Sequence, residues 1–223
     1  MPDAATLVRA HAFLEQHGTK QTPHGSRLGD LTHGSFDDHL RGTCTVLERW
    51  GYSEPVCLAG LFHSIYGTEG FQGLVLSLSQ RGDVAELIGA RAECAAFFNC
   101  VMDRDSLDWI VAEHVVEGLG VDTRPRLPLR ARNGVDTGMA GGEQWQLTPE
   151  ALHDLMAVHL ADYCEGWRNN HINPSVRFLR HAKGGQPGYY RIPPGGQHSY
   201  RYEAYSACAT LLGGAALAEC ALM

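Results

Sequence analysis

Ser53-Glu54-Pro55-Val56-Cys57-Leu58-Ala59-Gly60-Leu61-Phe62-His63-Ser64-Ile65-Tyr66-Gly67 is the stretch on which the fold turns. Ser53 suits an N-cap, and Pro55 suits the first helical turn, where a missing N–H costs nothing. From Val56 to Phe62 every side is apolar, so a helix here has no face to give to water and belongs at the centre. Gly67 breaks it. The pattern predicts a buried helix over 54–66 on which the rest of the chain packs.

Working outward, the flanking segments also read as helices. Upstream, Ser35 and Asp38 stand near capping-box spacing. Phe36, Leu40, Val46, Leu47 and Trp50 then recur at helical intervals, and Gly51 closes the segment. Leu7 to Gln16 forms a short amphipathic helix, followed by a Gly/Thr/Pro/His-rich loop over Gly18–Gly34. Downstream, Asp83 with Glu86 opens a helix to about Met102. Asp105 or Ser106 opens the next, ended by Gly118 and Gly120. Asp122 to Gln146, rich in Pro and Gly, has no period and reads as a long loop, functional or poorly ordered. Thr148-Pro149 restarts a helix to about Trp167. Lys183 to Gln197 is a Gly/Pro loop, and a last helix begins near Ser199. No strand is convincing; Leu74-Val75-Leu76 is the one short candidate. The expectation is an all-α fold in one domain over 1–223, with a core at about 33–167 and an extension over 168–223.

Composition narrows the functional classes. The net charge of −7 over 223 residues argues against nucleic acid, which calls for a basic face. No stretch offers the roughly 20 apolar residues of a membrane span, since Glu219 interrupts the most apolar one. Seven cysteines, an odd number with no CxxC pair, read as buried thiols in a reducing compartment. Charges in Met1–Arg9 stand where a signal peptide needs an apolar core, so the cytoplasm is expected.

Histidine is abundant, twelve in all, and most sit in exposed-looking segments. Two do not. His39 lies on the amphipathic helix opened by Ser35, and His63 ends the most apolar helix of the first half. A buried imidazole must find a hydrogen-bond partner or a metal. Farther on, His159 and Asp162 stand three apart on an apolar helix and share a face. Histidine plus carboxylate from separate helices is how helical bundles build metal sites.

The block Asp38-His39-Leu40-Arg41-Gly42-Thr43, then Gly60-Leu61-Phe62-His63-Ser64-Ile65-Tyr66-Gly67-Thr68-Glu69, then Ala161-Asp162, resembles the HD-domain superfamily. The specific part is similar to an uncharacterised HD-like bacterial family with His-Ser in place of the His-Asp doublet. The resemblance implies an HD-domain-like helical bundle with metal ligands at His39, His63 and Asp162. It also implies phosphohydrolase chemistry, or, as in a smaller group, oxygenation at a di-iron centre. Ser64 departs from the pattern, because a neutral hydroxyl replaces the carboxylate that would bridge two ions.

Three readings follow. In the first, one ion sits on His39, His63 and Asp162, the two-His, one-carboxylate set of non-haem iron oxygenases. In the second, Glu69 replaces the missing carboxylate, helped by His114 or His159, and the ion activates water for hydrolysis. In the third, the site is degenerate and binds a small molecule without turnover. The cofactor expected is a divalent metal, Fe(II) first, with Mn, Co or Zn open. The partner expected is a small, polar, anionic substrate; a homodimer is also open.

Around the ligands, Ser64, Tyr66 and Glu69 are candidate catalytic or pocket residues, with a solvated turn as the alternative for Tyr66 and Glu69. Arg104, His159 and His114 are candidates for substrate binding. Asp103-Arg104-Asp105 equally reads as a capped helix junction, while Arg104 suits an anion. Arg124, Arg126, Arg130 and Arg132 make the long loop locally basic, an exposed loop or a lid. His33 is a candidate neighbour of the site. No GxGxxG, Walker loop, HExxH or GxSxG occurs.

Overall fold

The computed structural model describes residues 2–22, 35–68, 75–132, 134, 135, 137, 144–168 and 200–220. Within them the chain is all-α, with one two-residue β-ladder. The helices are α1 (Ala4–Gln16), α2 (Phe36–Arg49), α3 (Glu54–Phe62), α4 (Arg81–Ile88), α5 (Ala90–Val101), α6 (Arg104–Glu117), α7 (Pro149–Arg168), α8 (Tyr200–Leu212) and α9 (Gly214–Cys220). Their buried side chains join in one apolar cluster, from Ala10 of α1 to Cys220 of α9. None of the described helices is long and apolar enough to cross a membrane.

The all-apolar stretch takes the central place its composition demands. All seven residues from Val56 to Phe62 are buried, and α3 packs against α2, α4, α5 and α7. Burying side chains of this size is worth about 1.5–3 kcal/mol each. Gly60 lets α2 come close, because a Cβ there would meet Leu47 Cδ1 at 2.4 Å. Ser53 stands at the N-cap of α3 in extended conformation, without a side-chain capping bond.

Helix α2 begins as its sequence dictates. The Asp38 amide donates to Ser35 Oγ (3.2 Å), and the Ser35 amide donates to the Asp38 carboxylate (2.8 Å), a complete capping box. This fixes the first turn, from which His39 projects inward. Helix α7 is tied to α5 by Arg91, whose Nε and Nη2 donate to the Asp154 carboxylate at 2.7 and 3.0 Å. The C-terminal helix α9 is fastened to α2 through Glu219, which accepts from Arg49 Nη2 (2.9 Å) and Trp50 Nε1 (2.9 Å).

Three expectations are corrected. The single helix over 83–102 is two, α4 and α5, broken at Gly89 with φ +86°, a backbone state that L side chains rarely adopt. The last helix is also two, divided at Gly213 and Gly214 (φ +66° and +52°). The long loop after α6 holds a short antiparallel ladder, with Leu129 opposite Trp145 and Arg130 opposite Gln144. Two residues are too few to show an alternating pattern. Val75 and Leu76 do not form a strand; both amides donate to the carbonyl of Ile65. Leu74, His33 and the 183–197 loop lie outside the described residues.

Candidate metal centre

Three elements deliver the cluster. His39 comes from the first turn of α2, His63 from the C-cap of α3, and Asp162 from the buried face of α7. His39 Nε2 and His63 Nε2 are 3.0 Å apart. Asp162 Oδ1 lies 3.3 Å from the first and 3.4 Å from the second. The histidine side chains are 4% and 0% exposed and that of Asp162 is 15%, so the carboxylate is the least buried of the three.

The other ring nitrogens decide what this triangle is. His63 Nδ1 lies 2.7 Å from the carbonyl of Gly60. A carbonyl only accepts, so Nδ1 carries the proton and neutral His63 presents a bare lone pair at Nε2. His39 Nδ1 faces the buried carboxylate of Glu165. The Glu165 carboxylate accepts the Nδ1–H, so His39 presents a lone pair at Nε2 once its second proton has left. Two ring nitrogens and a carboxylate oxygen therefore converge on one point, where either a proton on one ring or a metal ion can sit between them. An ion about 2.1 Å from three donors, with angles of roughly 90–110° between them, requires edges of about 3.0–3.4 Å, and the observed triangle has them. The three residues form a group able to hold a metal ion.

The electrostatics agree. Burial alone would push the His39 pKa down; the facing carboxylates of Asp162 and Glu165 outweigh it and raise it to about 9. For Asp162, burial opposes ionisation, but the two histidines hold its carboxyl well below the usual carboxylate range. A proton is thus the ion's competitor for the same lone pairs.

The main chain at His63 is gripped as well. Helix ends leave carbonyls without intrahelical partners. The carbonyl of His63 accepts from Asn99 Nδ2 (3.0 Å) and Cys100 Sγ (3.1 Å), both on α5. The imidazole is therefore held from its ring and from its backbone.

The remaining candidates fall in different places. Arg104 is buried at the first position of α6, with Nη2 3.6 Å from Asp162 Oδ2, and brings a cation to the Asp162 side of the cluster. Ser64 is buried next to His63. Tyr66 is buried too, but its hydroxyl donates to Glu93 Oε1 (3.4 Å), which Arg81 Nε holds at 2.6 Å. Burial and the Glu93 charge raise the phenol pKa. His159 lies one turn before Asp162, its ring 5.2 Å from that of Tyr205, which stacks on Tyr163. His114 lies ten residues along α6 from Arg104, about 15 Å by the helical rise. Its ring nitrogens face the carbonyls of Ile110 and Thr123. Glu69 lies outside the described residues. Of the loop arginines, Arg126 pairs with Glu113 and Glu117, Arg130 with Asp103 (3.1 Å), and Arg132 with the Cys100 carbonyl (3.2 Å). Sequence reasoning missed Glu165, Asn99 and Cys100. Only Glu165 left a signal, its helical spacing from Asp162.

Residues 13–104 match the model of a family described as a domain of unknown function (DUF6817). That stretch holds His39 and His63 and ends at Arg104; Asp162 lies beyond it. No curated protein and no solved structure matches the chain.

Proposed function

We propose that this protein is a metal-dependent enzyme whose single divalent ion is held by His39 Nε2, His63 Nε2 and the Asp162 carboxylate. The carrying observation is that both histidines have Nδ1 hydrogen-bonded elsewhere, so their two Nε2 atoms and a carboxylate oxygen meet within 3.0–3.4 Å. Two imidazoles and one carboxylate with further positions open is the ligand set of non-haem iron oxygenases, which favours Fe(II) and oxygenation. Bound there, such an ion supplies a site where dioxygen and substrate meet side by side.

The residues define the substrate's side of the reaction. Asp162 is the least buried corner of the triangle, so its side is where substrate would approach. Arg104 lies on that side, its buried guanidinium beside Asp162 and of a kind suited to a carboxylate or phosphate. Burial of both histidines would keep bulk water from the inner side of an ion held there. The substrate class that fits is a small, polar, anionic molecule. Hydrolysis of a phosphate ester is the second reading. It rests on the resemblance to the HD-domain superfamily and on the same side of the cluster, where a metal-bound water would stand.

The test is metal content, measured by mass spectrometry on untagged protein purified without oxygen, with His63→Ala beside it. About one iron per chain, lost in the variant while helical content stays, supports the reading and leads to oxygen-uptake assays with anionic substrates. Manganese or zinc turns the choice to hydrolysis. No ion in the parent, even after reconstitution, refutes the metal centre.

A further inference from the structure

The cluster is backed by a carboxylate that reaches no ligand position. Glu165 is 2% exposed and sits one turn beyond Asp162 on α7. Side chains of a helix lean toward its N-terminus, so Glu165 leans back to the level of Asp162. There it meets His39 Nδ1 from across the α2–α7 interface. It fits only because α2 carries a glycine one turn after His39. A Cβ at Gly42 would stand 2.7 Å from both Glu165 Cγ and Glu165 Oε1. No substituted side chain leaves this room. The chain thus pairs two rungs across one interface, His39 with Asp162 and Gly42 with Glu165.

Burying a carboxylate is costly unless it is matched by hydrogen bonds or charge. A purely structural ion pair would meet that need with a doubly protonated imidazolium, which has no lone pair left at Nε2. The geometry here does more. Glu165 holds the Nδ1 proton, turns the Nε2 lone pair toward His63 and Asp162, and makes that nitrogen a stronger donor.

We infer that Glu165, seated in the slot left by Gly42, is a positioning residue that sets the tautomer of His39 and thereby the affinity of the site for its ion. The inference rests on the metal centre proposed above. Glu165 touches neither ion nor substrate. Its effect passes through the ring of His39, and Gly42 acts only by leaving space.

Zinc(II) is the probe, because it is diamagnetic and suits the ligand set. The full chain labelled with 15N-histidine is loaded with zinc and its ring nitrogens are read by NMR. Affinity is measured by competition with a fluorescent chelator for the parent, Glu165→Gln and Gly42→Ala. In the parent, His39 should carry its proton on Nδ1 and coordinate through Nε2. Glu165→Gln should weaken zinc binding by about 10- to 100-fold, the usual effect of losing such a partner. Its amide can also turn its N–H toward Nδ1 and drive the proton to Nε2, which shows as an exchange of the two His39 ring signals. The His63 signals, fixed by Gly60, should not move. Gly42→Ala should weaken binding in the same direction by pushing the carboxylate aside. Alanine favours helix over glycine by about 1 kcal/mol, so this variant keeps α2 even where Glu165→Gln folds poorly.

Zinc binding by the parent with His39 coordinated through Nδ1 overturns the inference, as does affinity within twofold of the parent in both variants. No zinc binding by the parent overturns the metal centre, and this inference with it. The two failures are therefore distinguishable.

Discussion

A proton and a metal ion compete for His39, and the competition can be measured. In the folded protein, burial lowers the pKa of His39 but Asp162 and Glu165 raise it to about 9, against an ordinary value of 6.5. An ion that takes the Nε2 lone pair must expel that proton. At pH 7, two units below the folded pKa, the apparent affinity should therefore be about 100-fold weaker than its limit above pH 9, roughly 3 kcal/mol. Affinity should rise about tenfold per pH unit between 7 and 8.5. Manganese(II) suits the titration because it stays soluble across that range. Calorimetry at pH 7.5, repeated in buffers of different ionisation enthalpy, should give close to one proton released per ion. A flat affinity over 7–8.5, or binding with no proton release, refutes His39 as a ligand through Nε2.

The same proton predicts different stability profiles for the two forms. A group whose folded pKa is raised contributes stability that is complete below its unfolded pKa and is lost as pH climbs through the folded one. For His39 that window runs from about 6.5 to about 9. The loss is about 3 kcal/mol, or roughly 6–12 °C in Tm for a chain of this size. Asp162 adds no slope there, because its carboxyl is held well below the usual range and stays ionised throughout. Chelator-treated protein should thus lose Tm between pH 6.5 and 9.5, while manganese-loaded protein, with no His39 proton to lose, should not. Parallel profiles in scanning calorimetry would contradict this account.

Other substitutions probe the site and its frame. Asp162→Asn removes the charged ligand and one of the two carboxylates holding the His39 proton; ion affinity should fall at least tenfold, and the ring should titrate below 9 in a 15N NMR series. Ser64→Asp restores the carboxylate that the resemblance implies for this doublet; it should tighten binding or bring a second ion, counted by mass spectrometry. Gly60→Ala drives a methyl group against Leu47 Cδ1, 2.4 Å away, and should cost about 1–3 kcal/mol in urea denaturation through overpacking between α2 and α3.

The fold was legible where one element's pattern suffices to specify it. The apolar run over 56–62 demands burial, and Ser35 with Asp38 marks a helix start to the residue. The breaks at Gly89 and Gly213 were not legible. A glycine inside a helical pattern looks the same whether it continues the helix or takes positive φ, and packing decides. At the centre, His39, His63 and Asp162 drew notice as ligand-bearing residues on apolar helices, and the resemblance to the HD-domain superfamily joined them into one set. Their tautomers were out of reach, since those depend on acceptors set by three-dimensional contact: Gly60 for His63, three residues away in sequence, and Glu165 for His39, 126 residues away.

That difference in range orders the argument about the site. The ligands alone describe a place where a proton would satisfy the lone pairs as well as an ion. The Nδ1 partners are what commit both rings to face inward. Asp162 and Glu165 stand one turn apart on a single helix, and His39 touches both, one at each ring nitrogen. One carboxylate meets the ion while the other orients the ring that meets it. Moving α7 by a single residue would rotate Asp162 and Glu165 about 100° off this line and lose both functions together. The Arg91–Asp154 pair, an exposed guanidinium on a buried carboxylate near the N-terminal end of the same helix, ties that helix to α5.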